Sequence, residues 1–323
     1  MSGYPNPSKI LVAVSASAEE DEMRLGISDA DRAAVGQAAW LATRCRAELR
    51  LLHVVDFVDR RVLDDAPELE QEVIEQLDPQ LAALAGGCGV PATHGFRFGV
   101  PWREIAREVQ ETGADLLVIS PKRQLTLGER LLFGHTAWRL ARHAPSDILV
   151  VHPDARPRDT GPGVDKVLAL VDRSEVSARV LGAAHMLAEL GDAEQHVLTC
   201  LDYPNDIAMR QLVHAQKALA RYHREEQRKA KAFLDEATAQ FGGRWHAHLG
   251  EDWVVRHAPK LADELGIDLV VIAAVSKPRL AGMLLGTTAE KLLGRIRASC
   301  FMVRPQGWAP DLGGGGDDDR AVK

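Results

Sequence analysis

No apolar run in this chain approaches the ~18 residues needed to cross a bilayer, so no membrane span is expected. The four cysteines (Cys45, Cys88, Cys200 and Cys300) are scattered. They form no Cys-x-x-Cys pair and no small secreted framework, and so read as reduced thiols of a cytoplasmic protein. The first residues, MSGYPNPSK, lack a basic stretch followed by an apolar one, so no signal peptide is expected. Basic charge is short as well. A net charge of −7 lacks the basic field a general nucleic-acid binder carries, so no nucleic acid is expected as a partner. Neither Gly-x4-Gly-Lys-Ser/Thr nor Gly-x-Gly-x-x-Gly occurs, which removes P-loop and dinucleotide-binding readings. A Gly-x-Ser-x-Gly turn to hold a nucleophilic serine is also missing.

What the chain does have is internal repetition. Lys9-Ile-Leu-Val-Ala-Val-Ser-Ala-Ser17 returns as Lys166-Val-Leu-Ala-Leu-Val-Asp-Arg-Ser174, and Gly113–Ser120 returns as Gly266–Ala273. Leu131–Ala137 returns as Met283–Ala289, and the offsets are 157, 153 and 152 residues in the same order. A period this long means two whole domains of one fold, and 323 residues suit two domains of ordinary size. Hydrophobic content of 46% with 26% charged residues is that of a soluble globular protein.

Each half alternates β-branched runs with helical patterns, which predicts βαβ units and a parallel sheet. Strands are expected at Lys9–Val14, Leu49–Asp56, Ala92–Phe98, Leu116–Ser120 and Asp147–Val151. Their counterparts are Lys166–Val171, His196–Cys200, Trp245–Leu249, Leu269–Ala273 and Ser299–Val303. Helices are expected at Asp31–Cys45, Pro67–Ala85, Pro101–Thr112 and Thr136–His143, then Glu175–Leu190, Asp206–Gln240, Trp253–Leu265 and Thr288–Arg297. Right-handed crossovers make each half a doubly wound, five-stranded α/β domain. The domains are read as 1–153 and 164–305, joined by a Pro/Gly-rich linker at 154–163. The Gly/Asp-rich tail at 306–323 has too little apolar surface to order itself. Ala18–Ala30 reads as an extra loop of the first copy. Ser174 reads as the N-cap of the matching helix in the second. The basic face of Asp206–Gln240 reads as a solvated surface of mixed charges rather than a nucleic-acid or lipid contact.

A strand ending in Asp, then a strand followed by Gly-x2-Gly-x9-Gly-Ser/Thr, a helix and a last strand, is the pattern of the universal stress protein family. Both halves resemble it, most closely in the run Gly286–Pro305, and the arrangement is similar to the tandem type E members. The resemblance implies adenine nucleotide alpha hydrolase-like domains packed as an intramolecular pseudo-dimer through their last strands, with a further homodimer left open. It also implies a role in stress response through a small-molecule ligand or partner, with ATP as the family's ligand. In the family, the glycines let a loop approach the phosphates of ATP, and the aspartate lies against the adenine end.

The two copies keep this pattern unequally. In the second, Asp172, Ser276, Gly286, Thr287 and Thr288 stand at the implied positions, although Ala273 and Ser276 replace the first two glycines. In the first, Ser15 replaces the aspartate, and Ser120-Pro-Lys-Arg123 precedes Gly134-His135-Thr136. A proline and two bulky cations stand where backbone should meet phosphate, so the first site is expected to be degenerate. Lys122 and Arg123 read as a solvated loop tip or an anion contact. Gly286-Thr287-Thr288 reads equally as a helix start, with Asp172 capping the following turn. No catalytic or metal residues are expected. Two alternatives stay open: a lipid-like or other non-nucleotide ligand, and a weak metal-dependent nucleotide hydrolase using Asp172 with Lys277 nearby. His246 and His248 share one strand face but lack the further ligands of a zinc site and read as surface residues. Trp102 and Trp253 each sit three residues after a glycine, Gly99 or Gly250, and read as shared packing or a cleft wall, packing being favoured.

Overall fold

A computed structural model of the chain describes residues 3–18, 25–56, 68–121, 134–153, 161–201, 213–274 and 287–308. Its centre is one ten-stranded sheet. The first half contributes β1 (Lys9–Val14), β4 (Glu48–Val55), β5 (Ala92–Phe98), β6 (Leu116–Ile119) and β7 (Asp147–Val150). The second contributes β8 (Lys166–Leu170), β9 (Glu194–Cys200), β10 (Trp245–Gly250), β11 (Leu269–Ala273) and β12 (Ser299–Val303). The order is β10-β9-β8-β11-β12-β7-β6-β1-β4-β5. Pairing is parallel within each half, and the two halves meet where β12 runs antiparallel to β7. Each predicted strand is present, with ends shifted by at most two residues.

Side chains alternate between the two faces of the sheet, as a period of two requires. Ile10, Val12 and Val14 enter one core and Leu11 the other, and Leu269 and Val271 are likewise separated from Val270 and Ile272. The first core is covered by α1 (Asp29–Cys45), α2 (Glu68–Gly86), α5 (Ser177–Gly191) and α6 (Val213–Thr238). The second is covered by α3 (Pro101–Thr112), α4 (His135–His143), α7 (Val254–Leu265) and α8 (Thr287–Leu293). Both cores run across the two halves, so strands apolar on both faces are buried on both faces.

The seam is locked by side chains that cross it reciprocally. The His152 N–H donates to Ser299 Oγ at 3.2 Å, and the Arg304 N–H donates to Asp147 Oδ1 at 2.6 Å. Arg304, 3% exposed, also donates to the carbonyls of Leu140 (3.1 Å), Ala141 (2.7 Å) and Ser146 (3.3 Å). It thereby caps the carboxyl end of α4 from the other half. Burial lowers its guanidinium to about 10 and raises the carboxyl of Asp147, which also accepts from the Tyr4 hydroxyl. On the linker side, Gln37 accepts from the Gly163 N–H at 3.0 Å and donates to the Gly163 carbonyl.

Several expectations are corrected. At the ends of the segment read as a loop at Ala18–Ala30, β2 (Ala16–Ala18) pairs antiparallel with β3 (Leu25–Ile27), 19–24 lying outside the described residues, and α1 begins at Asp29. Ser174 does not cap α5; Val176 holds that position, while Ser174 donates to Asp172. The helix read as Thr288–Arg297 is regular only to Leu293, and Gly294 and Arg295 continue it as a turn, the Ile296 N–H bonding to the Leu292 carbonyl at 2.9 Å. The long helix is described from Val213 to Thr238, with 206–212 outside the described residues. Its charges pair locally, Arg228 with Glu225 and Lys229 with Glu226, both at 2.9 Å. Trp308, within the stretch read as tail, donates from Nε1 to the Ala144 carbonyl at 2.9 Å.

Candidate functional site

The carboxyl ends of the strands open onto a cavity in each half, where doubly wound sheets place their ligands. The second-half cavity, about 250 Å³, is formed by the ends of β8, β9 and β11 and the starts of α7 and α8. Leu170, Val176, Ile272, Ala289 and Leu292 make its apolar surface; Asp172, Ser177, Asp252 and Thr288 supply polar groups. No arginine or lysine lines it among the described residues. Of the predicted residues, Asp172 and Thr288 are brought together here, and Thr287 opens α8. Ser276 and Gly286 lie outside the described residues, as do Lys122, Arg123 and Lys277.

Asp172 is exposed and is already engaged. Its Oδ1 accepts from the Ser174 N–H at 2.9 Å and from the Ser174 hydroxyl, while the Ser177 hydroxyl donates to the Asp172 carbonyl at 2.7 Å with Oδ1 3.1 Å away. This is the turn-capping role that was its alternative reading, and it leaves Oδ2 for a ligand. Cys200 also lines the cavity. Burial, followed by the nearby Asp252 carboxylate, pushes its thiol up to about 12, so it stays protonated and unreactive near neutrality. Gly250 is required beside it: a Cβ there would stand 2.5 Å from Cys200 Sγ and 3.0 Å from the His257 ring.

Trp253 corrects the packing reading. It is 50% exposed at the cavity wall, with Lys291 Nζ 4.7 Å from its ring centroid. Trp102 is 7% exposed and does pack, with His143 at 5.4 Å and Arg139 at 5.5 Å.

The first-half cavity is the larger, about 420 Å³. Ser15, Asp31, His53, Asp56, Ser120 and Thr136 are among its lining residues. Sequence reasoning had Ser15 and Ser120 here and missed Asp31, His53 and Asp56, along with Asp252 in the second half. No spaced motif contains these four. Asp31 carries one local signal: it stands three residues after Ser28, the residue that caps α1.

His246 and His248, read as surface residues, are half-buried against a third histidine that the sequence reading did not single out. His196 is buried and meets His248 at 3.1 Å (Nδ1 to Nε2), with the His246 ring stacked 5.0 Å away. Burial, then the two neighbouring rings, lowers the His196 pKa below the ordinary histidine value. Among the described residues no group of three or more His, Cys, Asp or Glu side chains could hold a metal ion. The four cysteines are all free thiols.

A five-stranded α/β domain with this strand order, used twice and with a cavity at the strand ends in each copy, defines the class. The profile of the universal stress protein family matches residues 8–152 and 163–304, and this chain belongs to that family. A Staphylococcus epidermidis relative named as a universal stress protein is 28% identical over 173 residues, which is 51% of this chain and 93% of the relative. The fold is also that of a universal stress protein from Archaeoglobus fulgidus, with a TM-score of 0.65, 14% identity, and coverage of 92% of this chain and 98% of that one. A Pseudomonas aeruginosa protein of unknown function has the same fold, with a TM-score of 0.62, 20% identity, and coverage of 91% and 92%.

Proposed function

We propose that this chain is a stress-response protein of the cytoplasm that acts by holding a ligand, an adenine nucleotide such as ATP, in the cavity of the second half only. The observation that carries this reading is the convergence of Asp172 and Thr288 on one apolar cavity at the ends of β8 and β11. Small-molecule sites run from about 300 Å³ upward, so about 250 Å³ suits a ring-sized portion of a nucleotide, its remainder lying outside. Ser276, Gly286 and Thr287 complete the proposed phosphate side by resemblance. The antiparallel pairing of β7 with β12 supports reading the chain as its own pseudo-dimer; a homodimer of whole chains would need a further surface.

Binding rather than turnover is the reading taken. Phosphoryl transfer needs placed metal ligands and an oriented nucleophile, and Asp172 offers one carboxylate oxygen, its other being held by the Ser174–Ser177 turn. Calorimetry with ATP is expected to show one site per chain, weakened about tenfold or more by Asp172→Ala, which removes an acceptor used for orientation. Two equivalent sites, or binding indifferent to this change, would reject the reading. Multiple-turnover phosphate release with Mg²⁺, lost in Asp172→Asn, would instead establish the hydrolase. A second reading, an apolar or lipid-like ligand, is favoured by a lining that holds no arginine or lysine among the described residues; binding of a fatty acid with no binding of ATP would select it.

A further inference from the structure

A cation beside a tryptophan occurs once in each half, and the two copies hold it differently. Arg139 and Lys291 stand 152 residues apart, at the same place in the repeat. Arg139 is 6% exposed, lies 5.5 Å from the Trp102 ring and donates from Nε to His135 at 3.4 Å. It belongs to the core. Lys291 is exposed, with Nζ 4.7 Å from the Trp253 ring, and its side chain pairs with no carboxylate among the described residues. The adjoining stretch 275–286 contains no aspartate or glutamate.

The helix places this lysine at the mouth of the second-half cavity. Thr288 and Leu292, four residues apart on α8, both line it. Lys291, three residues after Thr288, stands beside them on the same side of the helix. Trp253 lines the same cavity from the start of α7. The indole and the ammonium therefore meet at the rim, between the apolar interior and solvent.

Each group suits one part of a charged aromatic ligand. An indole face is a stacking platform for a flat base of any kind. An exposed ammonium gains little from a ring alone and more from a phosphate, where charge and hydrogen bond act together. The interior is the wrong place for that phosphate. It has room for about one ring, and the carboxylates of Asp172 and Asp252 both line it. A negative tail is directed away from them by like-charge repulsion, out past Trp253 to where Lys291 stands.

We propose that Trp253 and Lys291 are the specificity residues of the second-half cavity, which they select for a flat base stacked on the indole and bearing a phosphate tail held by the lysine. The proposal rests on the nucleotide reading above. It adds a phosphate-binding cation from the body of α8, where the spaced glycine pattern has none.

The test is calorimetry on the full chain with ATP and adenosine as probes, which share the base and differ in the tail. The wild-type chain is expected to bind ATP the more tightly. Lys291→Met should lower the ratio of the two affinities about threefold to fivefold, the range of an exposed ion pair, and leave adenosine unchanged. Lys291→Arg should restore the ratio. Added salt should weaken ATP more in the wild type than in Lys291→Met. Trp253→Ala should weaken both probes about fivefold or more, and Trp253→Phe much less. Equal loss of ATP and adenosine in Lys291→Met, or no loss of either, would overturn the proposal. So would a ratio that collapses in Lys277→Met and survives in Lys291→Met, because the cation would then belong to the preceding loop. Adenosine binding indifferent to Trp253→Ala would overturn the stacking role. A wild-type chain that binds neither probe would overturn the nucleotide reading itself and the proposal with it, whereas ATP binding that ignores both variants would overturn the proposal alone.

Discussion

Trp102 and Trp253 hold the same place in the two halves, at the start of the helix that follows the third strand. Each has a cation from the next helix near its ring, Arg139 in one and Lys291 in the other. One is 7% exposed and the other 50%. The cover explains the difference. Helix α4 continues to His143, whose ring lies 5.4 Å from Trp102, whereas Arg295 stands at the matching position of the second half, and no ring covers Trp253 among the described residues. The same duplicated position becomes core or cavity wall according to what covers it.

The largest expected effect tests that contrast directly. Trp102→Ala should destabilise the chain by about 3–5 kcal/mol, the cost of emptying a buried aromatic site. Trp253→Ala should change stability by less than about 0.5 kcal/mol, as at exposed positions, while reducing ligand affinity in the second half. Equal losses on denaturant titration would break the comparison. The seam offers a second contrast. Arg304→Ala should cost about 3 kcal/mol, because it leaves the buried carbonyls of Leu140, Ala141 and Ser146 without their donor. His152→Ala at the matching position should cost nearer 1 kcal/mol, as its backbone bond to Ser299 survives.

The halves also exchange an acid and a hydroxyl: Asp172 follows β8 and is faced by Ser177, whereas Ser15 follows β1 and is faced by Asp31. The exchanged pair lends itself to a double-mutant cycle. Asp31→Ser alone should cost about 1–3 kcal/mol by leaving the Ser15 and Ser28 donors without their acceptor. Adding Ser15→Asp should recover most of that loss, because it restores the second half's arrangement; additive losses would show that the two sites are not interchangeable. The smallest effect is one of pH. His196 and His248 have folded pKa values below the ordinary 6.5, through burial first and neighbouring imidazoles second. The unfolded chain then binds more protons than the folded one as pH drops through 6.5. Their contribution to stability is complete above that value and declines below it, down to the folded values. Melting curves between neutral and mildly acid pH should show this decline, and His196→Gln should flatten it.

The strands and most helix bodies were legible because burial imposes regular periods on the sequence: Leu269–Ala273 reads as a central strand and is one. Elements set by short contacts were not. The β2–β3 pairing rests on two three-residue strands, too short for alternation to show. The loss of regular helix after Leu293 was legible in Gly294 but outvoted by the apolar pattern beyond it. Asp31 escaped because a spaced motif records which residue ends a strand, not which residue faces it across space. An alignment anchored on the helix ends, rather than on the strands, would have set Asp31 beside Ser177.

The antiparallel junction of β7 and β12 has one more consequence. Two identical chains joined there would obey a two-fold operator, and every substitution would appear at both sites at once. Joining the halves in a single chain abolishes that constraint and makes their association independent of dilution. Each half can then change alone while its neighbour holds the sheet together, and the carboxylate exchange, found in one half only, is a change that an obligatory two-fold would have forbidden.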